Sequence, residues 1–236
     1  MSVISYKEII KKEASNQTQS ISWPPSGAAF HFHKDMTWTG TAEDVQSVTF
    51  SNGMRLDKEG DGLPILHTAE GFRFQGGAYL SASPVQSVTY RGLSIFGALT
   101  LEMPSGESTY NYPFELGSLA YMYIREDINR LQCRTNTTLT SSDPQLVTGN
   151  KVVLGMFGDE DHHDNTVSGA VWINGRMRVC SIGPVEVVNN KWNIGRAFKG
   201  VIHEAVGFVR MDGQPPATDL RPKEVNEKLM SLWNVT

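Results

Sequence analysis

The chain has 236 residues and a formal net charge of −4, with acids and bases interspersed along it. No Lys/Arg block marks a nucleic-acid footprint and no apolar run approaches the roughly 20 residues of a membrane span, which argues against a nucleic-acid partner and a membrane-crossing helix. The length suits one all-β domain, and folding at this size removes roughly 70% of the unfolded chain's accessible surface, enough for a core without staples.

Cys133 and Cys180 lack a CxxC spacing, and the opening Met1-Ser2-Val3-Ile4-Ser5-Tyr6 lacks the basic, apolar, small-residue order of a secretory signal. The expectation is two reduced, strand-borne thiols in a protein that folds in a cytosol.

In chain order, residues Tyr6–Ala14 combine good helix formers with a small apolar stripe of Tyr6, Ile9 and Ile10. A polar stretch then leads to Trp23-Pro24-Pro25-Ser26-Gly27, whose prolines forbid a continuing helix. Residues 1–27 therefore read as an arm and 28–236 as one domain. Ala28–Phe32 opens the first strand, and Val45–Phe50 alternates before a Ser51-Asn52-Gly53 turn. Gly71–Leu80 reads as a strand broken by the pair Gly76-Gly77, the mark of a bulge or tight corner. Leu93–Glu102 has the clearest period of two, with Leu93, Ile95, Leu99 and Leu101 on one face; Phe96 and Ala98 on the other make it an inner strand.

Further strands follow at turn-punctuated intervals over Tyr112–Leu116, Ala120–Ile124, Arg130–Thr135, Val152–Phe157, Val167–Ile173 and Met177–Ile182. Asn174-Gly175 is the dipeptide of a two-residue hairpin. Trp192–Val209 runs strand, turn, strand, and a helix from about Lys223 to Trp233 closes the chain. About a dozen short strands and two small terminal helices predict an all-β antiparallel double-sheet sandwich.

Three stretches, in order, resemble the laminin-G-like, concanavalin-A-like jelly-roll superfamily. These are Gly71–Leu80, an aromatic strand meeting a Gly-rich turn and a Tyr-Leu pair; Val171-Trp172-Ile173-Asn174-Gly175; and Asn193-Ile194-Gly195-Arg196 followed by Phe198–Glu204 and the terminal helix. The resemblance covers roughly Ala28–Trp233. It implies a jelly roll, a corner fixed by Glu204, and kinship with phage virion components and bacterial modules that dock on surfaces or glycans. A fold hosts many functions, so the functional part is analogy.

Candidate sites follow from residue chemistry. Tyr110 and Tyr112 share a strand face, as do Tyr121 and Tyr123, and with Trp38 they offer aromatic area on which a sugar ring or a partner could stack. Trp172 and Trp192 are expected in the core. The acidic loop Asp159-Glu160-Asp161-His162-His163-Asp164 makes Asp159, Asp161 and Asp164 the candidate ligands for Ca²⁺, although a short charged loop is normally just solvated. His31 and His33, at i and i+2, share a face at a spacing that zinc sites use, with no third ligand evident; paired surface or edge histidines are the alternative. No alternating Glu-x-Asp-x-Glu strand, Gly-x-Ser-x-Gly elbow, His-Glu-x-x-His helix or phosphate loop is apparent, so no catalytic residue is assigned.

The leading expectation is a non-enzymatic structural or interaction protein without a resident cofactor. It would be a homo-oligomeric phage virion component of tail, baseplate or capsid decoration, assembled in a host cytoplasm and docking to other subunits or a host surface. The alternatives are a glycan-binding module, with Ca²⁺ as its one candidate ion, and a degenerate glycoside hydrolase.

Overall fold

The computed structural model describes residues 22–82, 88–102, 110–116, 120–125, 130–135, 137–140, 146–159, 169–180, 185–187, 191–211 and 222–236. The helix expected over Tyr6–Ala14 lies outside them. In chain order the strands are β1 (Phe30–His33), β2 (Thr37–Thr41), β3 (Asp44–Thr49), β4 (Arg55–Glu59), β5 (Leu66–Thr68), β6 (Gly71–Gln75), β7 (Tyr79–Ala82), β8 (Val88–Leu101) and β9 (Tyr110–Leu116). They continue as β10 (Ala120–Arg125), β11 (Arg130–Thr135), β12 (Thr137–Thr140), β13 (Lys151–Asp159), β14 (Gly169–Ile173), β15 (Arg176–Cys180), β16 (Val185–Val187), β17 (Trp192–Arg196) and β18 (Lys199–Met211). One helix, α1 (Pro222–Trp233), follows.

The strands form two antiparallel sheets. The first has the order β15-β14-β13-β8-β18-β6-β5, with β1 also on β18 and β16 on β8. The second runs β12-β11-β10-β9-β17-β7-β4-β3-β2. Together they make the expected antiparallel β-sandwich. Alternation explains the layers: Ile95, Leu99 and Leu101 of β8 join Phe72, Phe74, Phe114, Met122, Ile124 and Ile194 between the sheets. The opposite face of β8, Phe96 and Ala98, packs with Trp172, Val206 and Phe208 beneath Val225 and Leu229 of α1. The first sheet is thus buried on both faces, as the two-sided apolar pattern of β8 foretells.

The expected strand over Gly71–Leu80 is two strands in different sheets. β6 pairs with β18 in the first and β7 with β17 in the second. Gly76 and Gly77, both at φ 87°, carry the chain from one to the other. The return between β17 and β18 works likewise, with Gly195 at φ 81° and Ala197 at φ 51°. A Cβ on Gly195 would overlap the ring of Phe74 on the facing sheet, so this corner admits only glycine. The Asn174-Gly175 hairpin forms as its sequence predicts, with φ of 47° and 75°. Gly175 N–H also donates to Asn226 Oδ1 of α1 at 3.0 Å.

Glu204 is the polar centre of the covered side. Oε1 accepts the indole N–H of Trp23 at 2.6 Å and lies 2.6 Å from His31 Nε2; Oε2 accepts the indole N–H of Trp233 at 2.9 Å. One carboxylate thereby joins the lead-in to β1, β18 and the end of α1. Burial pushes the Glu204 carboxyl up, and the bonds from His31, Trp23 and Trp233 outweigh it, leaving the pKa lowered.

Candidate ligand-binding face

A sheet covered on one side only displays every second side chain of each strand on the other. Among the described residues the second sheet is in that position: their only helix packs on β8 and β13 of the first. Leu56, Leu80, Ile194, Phe114 and Met122 face the core, so their strand neighbours form the outer face.

Two cross-strand rows occupy its centre. In one, register places Asp57 beside Ser81, Ser81 beside Asn193, Asn193 beside Glu115, and Glu115 beside Tyr121. In the other, Glu59 lies beside Tyr79 and Arg196 beside Tyr112. The second row exists because alternation is broken twice. Left-handed Gly195 turns Arg196 onto the same side as Asn193, and a register shift between Met122 and Ile124 lets Tyr112 and Tyr123 meet, their rings 5.6 Å apart.

The rows are wired together. Ser81 Oγ donates to Asn193 Oδ1 at 2.9 Å, Asn193 Nδ2 donates to Glu115 Oε2 at 2.8 Å, and Arg196 Nη1 donates to both Glu115 oxygens at 3.0 Å. Ser81 and Asn193 are buried and the Glu115 side chain is only 12% exposed, whereas that of Arg196 is 53% exposed. A buried polar chain therefore emerges as one guanidinium. The hydrogen bond and charge of Glu115 raise the Arg196 pKa further, so its charge is permanent. At the other side Lys191 Nζ and the Tyr79 hydroxyl both donate to Glu59 Oε2. Lys191 holds the Glu59 carboxyl below the usual range and is itself raised by it, while burial and then Glu59 push the Tyr79 phenol up.

The expected site residues fare differently. Tyr112 is half-buried on this face. Tyr123 reaches it as well, but its ring is buried and its hydroxyl bonds to Gln132 Oε1, so it supports Tyr112 and is not the exposed platform expected of it. Tyr110 and Tyr121 pair in β9 and β10 opposite Arg125 and Glu115 respectively, and their side chains lie outside the description. Trp38 is on β2, at the far edge of the sheet; it packs on the core and stacks with His67 at 4.7 Å, because its position opposite Val48 points it inward. Trp172 and Trp192 are core residues, as expected.

Asp159 ends β13 with its side chain outside the description, as are Asp161 and Asp164, so the Ca²⁺ expectation falls there too. Among the described residues no group of three His, Cys, Asp or Glu side chains is placed to hold a metal. His31 and His33 do share a face, rings stacked at 4.4 Å, with His31 committed to Glu204. Cys133 is buried in the core.

Glu59, Tyr79, Ser81, Asn193, Glu115 and Arg196 were not singled out as site residues from the sequence. Within the sequence, Asn193-Ile194-Gly195-Arg196 was the available signal: a strand carrying a buried amide, a forced glycine and then an arginine.

No family model and no curated protein matches the sequence. Solved structures do match its fold. Domain 4 of AbnA, a GH43 extracellular arabinanase from Geobacillus stearothermophilus, solved in complex with arabinotriose, superposes with a TM-score of 0.56 at 15% identity over 85% of this chain and 97% of that one. Trypanosoma rangeli sialidase in complex with sialic acid gives 0.58 at 10% identity over 90% of this chain. The binding domain of botulinum neurotoxin serotype D gives 0.58 at 10% identity over 87%. The chain spans 34% of that sialidase and 52% of that toxin domain, and identities this low establish a shared β-sandwich fold.

Proposed function

We propose that this protein is a non-enzymatic binding module that holds a glycan on the outer face of its second sheet. One observation carries the reading: half-buried tyrosines on β7 and β9 border a polar network that is buried at its root and open at Arg196. Burying Ser81, Asn193 and most of Glu115 on the uncovered side of a sheet costs desolvation that an apolar row would not, and such preorganisation serves a ligand. Tyrosine faces suit the C–H faces of sugars, and fixed amides, carboxylates and a guanidinium suit their hydroxyls. A domain of an arabinanase, solved with arabinotriose, shares the fold.

Binding is favoured over hydrolysis by the state of the carboxyls. Asp57 and Glu59 alternate on β4 and so do share a face, a pair not evident from the sequence because β4 was not recognised as a strand. Glu59, however, is held ionised by Lys191, the reverse of the raised pKa that protonating a glycosidic oxygen requires. Glu115 is three strands away, about 14 Å across the sheet, and bonded to Arg196.

A glycan array of the purified full chain, followed by calorimetry on the best binder, tests this. Tyr112→Ala should weaken binding by about 1 kcal/mol or more while leaving the fold intact. An array without binders, or a Tyr112→Ala protein of unchanged affinity, would overturn the assignment of this face.

A structural role in a larger assembly, such as a phage virion, is the second reading. What favours it is that Trp23 and Trp233 meet at Glu204 on the first sheet, on the side opposite the tyrosine face. Tethering there would leave the glycan face free. Light scattering should then find a discrete oligomer that is insensitive to EDTA and is lost on deletion of residues 1–21; an unchanged mass after deletion removes the arm from that role.

A further inference from the structure

We infer that Arg196 sets the specificity of this face and that its open edge receives the carboxylate of an acidic sugar. The inference rests on the reading of the face as a glycan site and narrows its ligand class.

The geometry of the guanidinium is the argument. Both oxygens of Glu115 are taken up by Nη1, at 3.0 Å each, and no described residue bonds to Nε or Nη2. Those two N–H groups are the side-on edge of the fork, parallel donors at the spacing of the two oxygens of a planar carboxylate. Lysine, with a single rotating ammonium, would not present that edge.

Position is fixed as firmly as chemistry. The Glu115 anchor is itself held by Asn193, and Asn193 by Ser81, so the fork does not have to be ordered when a ligand arrives. Tyr112 is the register partner of Arg196 on β9, while Tyr79 lies on β7, the strand on its other side. A sugar ring lying on either tyrosine places an exocyclic carboxylate over β17. Lys191 is already committed to Glu59 and Arg55 to Asp57 at 2.8 Å, so neither competes for the anion. Glu115 lies behind the opposite edge of the guanidinium, and the ligand carboxylate would share the cation with it, a two-carboxylate bridge that a neutral sugar does not complete.

Calorimetry of the full chain with two acidic probes, trigalacturonate and 3′-sialyllactose, against their neutral counterparts, methyl-esterified trigalacturonate and lactose, separates the possibilities. We expect at least one acid to bind about 10- to 100-fold more tightly than its neutral counterpart, the range for one bidentate charge-assisted contact. Arg196→Lys should abolish that preference, and Arg73→Lys on the first sheet should retain it. The acid–neutral comparison uses the unaltered protein and so stands even if the variant folds poorly. Equal binding of acidic and neutral probes would overturn the carboxylate assignment while leaving a glycan site; a preference that survives Arg196→Lys would overturn the role of Arg196; no binding by any of the four probes would overturn the inference, and the array then decides the wider reading.

Discussion

At Glu204 a single carboxylate answers three donors from three parts of the chain, and its chain neighbour His203 helps to aim one of them, Trp233. His203, fully buried, lies 2.9 Å from the Glu70 carbonyl through Nδ1 and 2.7 Å from Thr100 Oγ1 through Nε2, so Nδ1 must carry the proton and Nε2 accepts from the hydroxyl. The ring of Trp233 stacks on His203 at 4.8 Å and lies 5.4 Å from Lys151 Nζ. The tryptophan ring is thus packed against His203 and Lys151 while its N–H is aimed at Glu204. Glu204→Gln keeps the shape but presents an NH₂ group where a carboxylate oxygen accepted a donor. The expected loss is about 2–3 kcal/mol in chemical denaturation, from weaker charge-assisted bonds and one unanswered buried N–H. A variant within about 0.5 kcal/mol of the parent would mean that Glu204 does not hold the two chain ends.

At the scale of elements, what the sequence made legible was whatever had strong periodicity. β8 announced both its faces, Asn174-Gly175 its hairpin and Lys223–Trp233 its helix, because these depend on local side-chain patterns. β2, β4, β5, β12 and β16 were not legible: each is three to five residues long, and in β4 the lone inward apolar residue is Leu56. Such strands are specified by neighbours already in place, a tertiary effect that no local pattern carries. The corners were half legible, since Gly76-Gly77 marked a break without revealing that the two sides enter different sheets. The candidate site was the least legible part. Tyr112 was in view, but Arg196 reaches the outer face only because Gly195 reverses the alternation, and its partner Glu115 is 81 positions earlier in the chain.

For the molecule as a whole, the placement of titratable groups dictates how stability follows pH. His203 and His33 are both held below the ordinary histidine value of 6.5, first by burial and, for His33, also by the charge of His31. In the folded protein they resist protonation, whereas in the unfolded chain they protonate near 6.5. Below that pH the unfolded state binds protons that the folded state declines, so stability falls as pH falls; above it their contribution is fully present. Glu204 adds a second stage with the same sign. Its lowered pKa means that the unfolded chain takes up this proton first, and stability is lost as pH drops from the ordinary carboxyl range through the folded value. Glu59, half-buried and held by Lys191, is largely screened by solvent and adds little. Urea denaturation at a series of pH values from 8 to 3 should therefore show a plateau above about 7, a decline beginning near 6.5, well before any carboxyl titrates, and a further decline below about 4.5. His203→Gln, which can still donate to the Glu70 carbonyl and accept from Thr100, should shrink the upper stage and leave the lower one. Stability that stays level from pH 8 to 5 in the parent protein would show that these histidines are not held neutral, and the packing of Trp233 on an uncharged His203 would need a different account.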